Sequence, residues 1–223
     1  MSYKLKPTLT LDALADYAVN AAAALAARPQ TRALAAGWRE RVKAVRAVRK
    51  AREETRDLWL EALATYQVAH TDWQEALTVL SGLIYLASGK KSTNEPYFSV
   101  LGTITAARAR SYGAAKAVEF GSLVLARLAV LDRADFAAAT AAFQAAQAIL
   151  VPAGAERRKA YEALRLHNLH RVRLIEETQT AVNETEIEIL RAFPGKESRV
   201  RDVLAPPRAD EKKEESEASS APT

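Results

Sequence analysis

The stretch Trp38–Ile84, WRERVKAVRAVRKAREETRDLWLEALATYQVAHTDWQEALTVLSGLI, decides the fold. Alternating steps of four and three from Trp38 pass through Val42, Val45, Arg49, Arg52, Arg56, Trp59, Leu63, Tyr66, His70, Trp73, Leu77, Leu80 and Ile84; ten of these 14 positions are apolar or aromatic. All three tryptophans of the chain share this one heptad phase. Steps of four and three return to one side of an α-helix, so the pattern predicts a long helix with a coiled-coil-like seam. Unbroken from Arg32 to Ala87, it is about 80 Å long at 1.5 Å per residue.

Upstream, residues 1–9 read as an extended leader. Thr10 is placed to cap a first helix, which holds Leu11, Leu14, Tyr17 or Ala18, Ala21 and Leu25 at helical spacing and ends at Arg28-Pro29. Thr31 is the expected cap of the long second helix. Downstream, Ser88–Tyr97 (SGKKSTNEPY) is a loop, and a third helix is expected over 98–131. In it Ala109, Gly113, Ala117 and Gly121 form a stripe of small residues at steps of four, which lets another backbone approach closely. Asp132–Asp135 reads as a turn. A fourth helix follows over 136–150, which Pro152 and Gly154 are expected to break. A fifth runs over 156–193 and stops at Pro194-Gly195. Residues 205–223 are almost free of apolar side chains and read as a disordered tail.

Composition agrees with helix throughout. Among 223 residues there are 47 alanines against 8 glycines and 8 prolines, which argues against sandwiches and doubly wound sheets. There is no cysteine, which excludes a disulfide framework, a thiolate zinc site and a cysteine nucleophile. Lys4 and Lys6 are followed by Pro7, Asp12 and Asp16 rather than an apolar core, so no secretory signal is read; the location expected is cytoplasmic. The longest charge-free run, Phe136–Ala155, is mostly alanine with Gln144 and Gln147, and reads as a core helix rather than a membrane span.

Charge is distributed in blocks. The formal net charge is +5. Arg39–Arg56 holds eight cations and three acids, and Glu176–Glu188 holds five acids and no cation. The other halves are reversed: Asp57–Ala87 has four acids and no cation, and Arg157–Arg173 has six cations and one acid. Antiparallel packing of helix two on helix five sets opposite signs together at both ends. In the register that best matches charge, Glu186 lies level with Arg52, and His70 lies opposite Asn168, near His167 and His170. The residues expected at the seam or interface are Trp38, Trp59, Tyr66, Trp73, Arg49, Arg52, Arg56 and Glu186.

Chemistry-bearing motifs are scarce. His167 and His170 stand at a metal-ligand spacing, but the Glu-x-x-His pair of di-iron bundles is absent: Gln67, Leu164 and His167 precede the three histidines by three. Gly89-Lys90-Lys91-Ser92-Thr93 lacks the first glycine of a phosphate-binding loop, where Ile84 stands, and has Lys91 where Ser or Thr is required. No nucleophile-elbow, zinc-protease or dinucleotide fingerprint occurs, so no catalytic residue, metal or cofactor is expected.

The fold class expected is therefore all-α: an elongated antiparallel helical bundle with long coiled-coil-like helices, one bundle domain over 10–204 and the tail. The function expected is that of a non-enzymatic scaffold or interaction protein, self-associating as a dimer because the longer helix outruns its partner. The alternatives are a peripheral protein of a lipid or granule surface, without a transmembrane span, and nucleic-acid binding through Arg39–Arg56.

Overall fold

A computed structural model describes residues 4–131 and 133–205. The expected tail lies outside them, apart from Ala205. Among the described residues there are seven α-helices and no strand: α1 (Leu11–Ala26), α2 (Ala35–Ala87), α3 (Tyr97–Leu101), α4 (Ala106–Arg110), α5 (Ala114–Leu131), α6 (Ala137–Ala192) and α7 (Ser198–Leu204). Short 3-10 turns lead into α2 and α6. The protein is all-α, as its composition and seam predict.

Local chemistry sets most of the ends. The Thr10 hydroxyl accepts from the Ala13 amide at 3.2 Å and starts α1, with Asp12 in its first turn. Thr31 does not cap as expected: its hydroxyl donates backward to the Leu25 carbonyl at 3.0 Å and ties the α1–α2 corner together. The Gly89-Lys90 pair, both at positive φ, closes the end of α2, with the Lys90 amide donating to the Tyr85 carbonyl. Ser88 then fixes the loop, accepting from the Tyr97 amide and donating to the Ile84 carbonyl.

Three expected helices are corrected. The third is three pieces, because Gly102 at φ +62° turns the chain and Thr105 starts a new helix by accepting from the Arg108 amide. Ala109 and Gly113 therefore do not share a helix with Ala117 and Gly121, and the stripe of four does not exist. The fourth and fifth are one helix, α6, which runs through Pro152. A proline removes one donor to the carbonyl four residues back, here that of Ala148. Both residues are exposed, so that carbonyl stays on the wet side of the helix.

Among the described residues the contacts form two compact units, one from 4–54 with 164–205 and the other from 55–131 with 133–163. In the first, Tyr17, Ala18, Ala21 and Leu25 of α1 pack with Trp38 and Val42 of α2, Val182 and Ile189 of α6, and Val200, Val203 and Leu204 of α7. The Tyr17 hydroxyl donates to the Leu204 carbonyl at 3.1 Å. In the second, Trp73, Leu77, Leu80 and Ile84 of α2 pack with Val124 and Leu128 of α5, and Phe143 and Leu150 of α6.

Helices α2 and α6 are antiparallel within each unit. In the first, Trp38 donates its indole N–H to Thr185 at 3.0 Å, and Val45 shares a cluster with Ile175. In the second, the Arg157 guanidinium sits 4.6 Å from the Tyr66 ring centroid, and Trp73 donates to Gln147 at 2.7 Å. The alanine-rich part of α6 is long and apolar enough to cross a bilayer by length and composition, but Phe143, Ala146 and Leu150 on it belong to this unit's core.

This register corrects the charge-matched one. Glu186 follows Thr185, at the level of Trp38; Arg52 is 14 residues further along α2, about 21 Å away at 1.5 Å per residue. His70 falls on α6 between the levels of Gln147 and Arg157, not at Asn168. The reason is magnitude. Burying one tryptophan removes 150–250 Å² from water, about 4–6 kcal/mol gross at 25 cal/mol per Å². An exposed ion pair contributes about 0–1 kcal/mol. The tryptophans choose the register, and the charges accept it.

Candidate functional site

The expected seam residues separate into buried and exposed sets. Trp38, Tyr66 and Trp73 are buried, while Trp59 and Glu186 are half-buried. Arg49 is exposed and bonds Asp12 of α1 at 2.5 Å and Glu53 at 3.0 Å. Arg52 is half-buried and lines a small cleft with Thr10, Asn168 and Arg171, and Arg56 is exposed.

The basic run turns mainly to solvent. In the first unit Arg39, Lys43, Arg46 and Lys50 stand at steps of four, three and four on the side of α2 away from Trp38, Val42 and Val45, and all four are exposed. Lys43 and Lys50 pair with Glu40 and Glu54 of their own helix. Arg39 and Arg46 make no ion pair among the described residues. Two of the α6 acids pair within their own helix, Glu177 with Arg173 and Glu188 with Arg191. Glu184 and Glu188 also wall an open groove of about 650 Å³ with Trp38, Glu40 and Arg41. The expectation that the two long helices cancel one another's charge is thus replaced by pairing within each helix, which leaves Arg39 and Arg46 without an ion pair among the described residues.

In the second unit the outward side of α2 carries Asp57, Glu61, Asp72 and Glu75, all exposed and without an ion pair among the described residues. Toward its end the same side becomes apolar: Val79 is 60%, Leu83 39% and Leu86 58% exposed, opposite the buried Leu77, Leu80 and Ile84. Sequence reading missed this row because it followed only the stronger seam. The signal was present as Val79, Leu83 and Leu86 at steps of four and three.

His70 is stacked between Tyr66 (5.4 Å between centroids) and Trp73 (5.8 Å), and its Nδ1 lies 3.4 Å from the Gln74 amide. Burial holds its imidazole below the usual histidine value, against a backbone hydrogen bond at Tyr112 that acts the other way and with the Arg157 charge adding to the lowering. His70 is therefore favoured neutral in the folded unit and binds its proton more readily when unfolded. Stability tied to it is present above pH about 6.5 and is lost as pH falls below that value. Melting at pH 7.5 and 5.5 should show a larger acid loss for the wild type than for His70→Phe; equal losses would contradict this. His167 and His170 meet edge to face at 5.8 Å in the first unit. Among the described residues no group of three His, Asp or Glu is placed to hold a metal.

The fold and surface define an all-α protein of two helical units, with outward rows of opposite charge on one helix. No family model, curated protein or solved structure matches the chain.

Proposed function

We propose that this protein is a non-enzymatic helical scaffold that self-associates through the outward side of α2. The observation that carries the reading is complementarity. One unit shows an exposed row of four cations, the other an exposed row of four acids, and Arg39, Arg46 and the four acids make no ion pair among the described residues. A second copy running the other way offers each row its opposite. The exposed Val79, Leu83 and Leu86 supply apolar area beside the acids. A two-fold pair buries such a surface twice and closes the assembly.

Light scattering or sedimentation should give the mass of two copies at low salt and a shift toward one copy near 1 M salt, where the Debye length falls to about 3 Å. Lys43→Glu with Arg46→Glu should weaken association by about tenfold or more, and adding Asp72→Lys with Glu75→Lys should restore it. A wild type that stays a single copy at every concentration refutes the proposal.

The same cationic row supports a second reading, attachment to an anionic lipid surface, because Arg39 and Arg46 are exposed and unpaired among the described residues. In that case Lys43→Glu with Arg46→Glu abolishes sedimentation with anionic vesicles and leaves the mass unchanged.

A further inference from the structure

In the second unit, away from the outward side of α2, α5 and α6 enclose a cleft of about 400 Å³. Its walls are Lys116 on α5 and Arg157, Arg158 and Tyr161 on α6, with Gly113, Ala114, Ala115 and Gly154 leaving the space between them open. Three cations and no acid line it. None of the three makes an ion pair among the described residues, although Lys159, next in sequence, pairs with Glu156.

Two of these cations are held in position without being neutralised. The Lys116 ammonium lies 4.4 Å from the Tyr112 ring centroid, and the Arg157 guanidinium 4.6 Å from that of Tyr66. An aromatic face attracts a cation and orients it but carries no net charge. Three like charges drawn together in one concavity repel one another, and no ion pair among the described residues offsets this. A bound anion would. The first turn of α5 adds to the same field: its first helical bond runs from the Ala117 amide to the Gly113 carbonyl, and no acid lies in that turn.

We infer that this cleft binds a phosphate monoester, with Arg157 and Arg158 on its oxygens and Lys116 as a point charge beside them. Guanidinium groups match the oxygen pairs of phosphate, and a dianion best offsets three positive charges. A cleft of this size has room for a small organic group on the ester. A soluble phosphorylated compound and the headgroup of a phosphatidic acid bilayer present the same chemistry, so both are tested.

Titration of the full chain with inorganic phosphate, followed by calorimetry or by ³¹P resonance, should give saturable binding. Lys116→Gln with Arg158→Gln, which leaves the Arg157–Tyr66 contact intact, should weaken it by about tenfold or more. Arg39→Gln with Arg46→Gln, which removes equal charge from the outward row, should change it less than about twofold. Melting temperature checks that both variants fold. Saturable phosphate binding with that contrast supports a soluble ligand. Sedimentation with phosphatidic acid vesicles but not phosphatidylglycerol vesicles, lost in the first variant only, supports the lipid source. Failure of the wild type to bind either probe, or equal losses in both variants, overturns the inference; neither result bears on self-association.

Discussion

Replacing Trp73 with alanine is expected to destabilise the second unit by about 4–5 kcal/mol. Trp73 is 0% exposed and sits 5.8 Å, centroid to centroid, from both His70 and Phe143. Alanine removes nearly all of that packing and leaves a hole between α2 and α6, because the surrounding helices relax only partly. It also removes the indole N–H that donates to the Gln147 side-chain oxygen at 2.7 Å, stranding a buried acceptor. Trp73→Phe keeps a six-membered aromatic ring but loses the five-membered ring and the donor, so a smaller effect of about 1–3 kcal/mol is expected. Half-buried Trp59 is the comparison, and Trp59→Ala should cost clearly less. Denaturant unfolding followed by far-ultraviolet circular dichroism measures all three. A Trp73→Ala loss under about 1 kcal/mol would mean that this side chain does not set the register of α2 on α6.

Gly121→Ala is expected to be destabilising by about 2 kcal/mol, against the sign that helix propensity alone gives. In an exposed helix interior the same change stabilises by about 1 kcal/mol. At 121 a Cβ would lie 2.1 Å from the Gln147 side-chain oxygen and 2.6 Å from its amide carbon. Gln147 must then move, and it is not free to do so without loss. Its oxygen accepts from Trp73, and its nitrogen donates to the Val118 carbonyl at 2.8 Å. The sign therefore reports the polar network. In a Gln147→Ala background the obstruction is gone, and Gly121→Ala should become stabilising. Gly82→Ala, where nothing lies within 4 Å of the new atom, should stabilise in either background. If Gly121→Ala stabilises the wild type, the Trp73–Gln147–Val118 connection does not hold the core as described.

These two expectations mark where sequence reading stops. Gly121 was legible as a place of close approach, but its neighbour was not. The small-residue stripe suggested a backbone in contact, whereas the group that occupies the space is the Gln147 amide, 26 residues away. Gln147 itself looked like an incidental polar residue in an alanine run. The two rows on the outward side of α2 were half legible. The cations of Arg39–Arg56 stood out in the composition, but which of them face water depended on where α1 and α6 lie. Arg49 meets Asp12, while Arg39 and Arg46 make no ion pair among the described residues. The cleft of Lys116, Arg157 and Arg158 was invisible, since these residues are brought together only by the packing of α5 on α6.

By itself the sequence determined that this chain is helical, where α1 begins, where α2 ends and which side of α2 is buried around Trp38, Tyr66 and Trp73. Those properties come from neighbours within a turn or two: alanine propensity, the Thr10 cap, the positive-φ Gly89 and the spacing of apolar side chains. Only the tertiary structure decided the register of α2 on α6, the passage of α6 through Pro152 and the charges left unpaired. Register is a sum over pairs far apart in the chain, and in that sum a few buried aromatic contacts outweigh many exposed charges. Charge blocks are easy to see along a sequence, but they act at the surface through a medium that weakens them, so they could not choose how the long helices met.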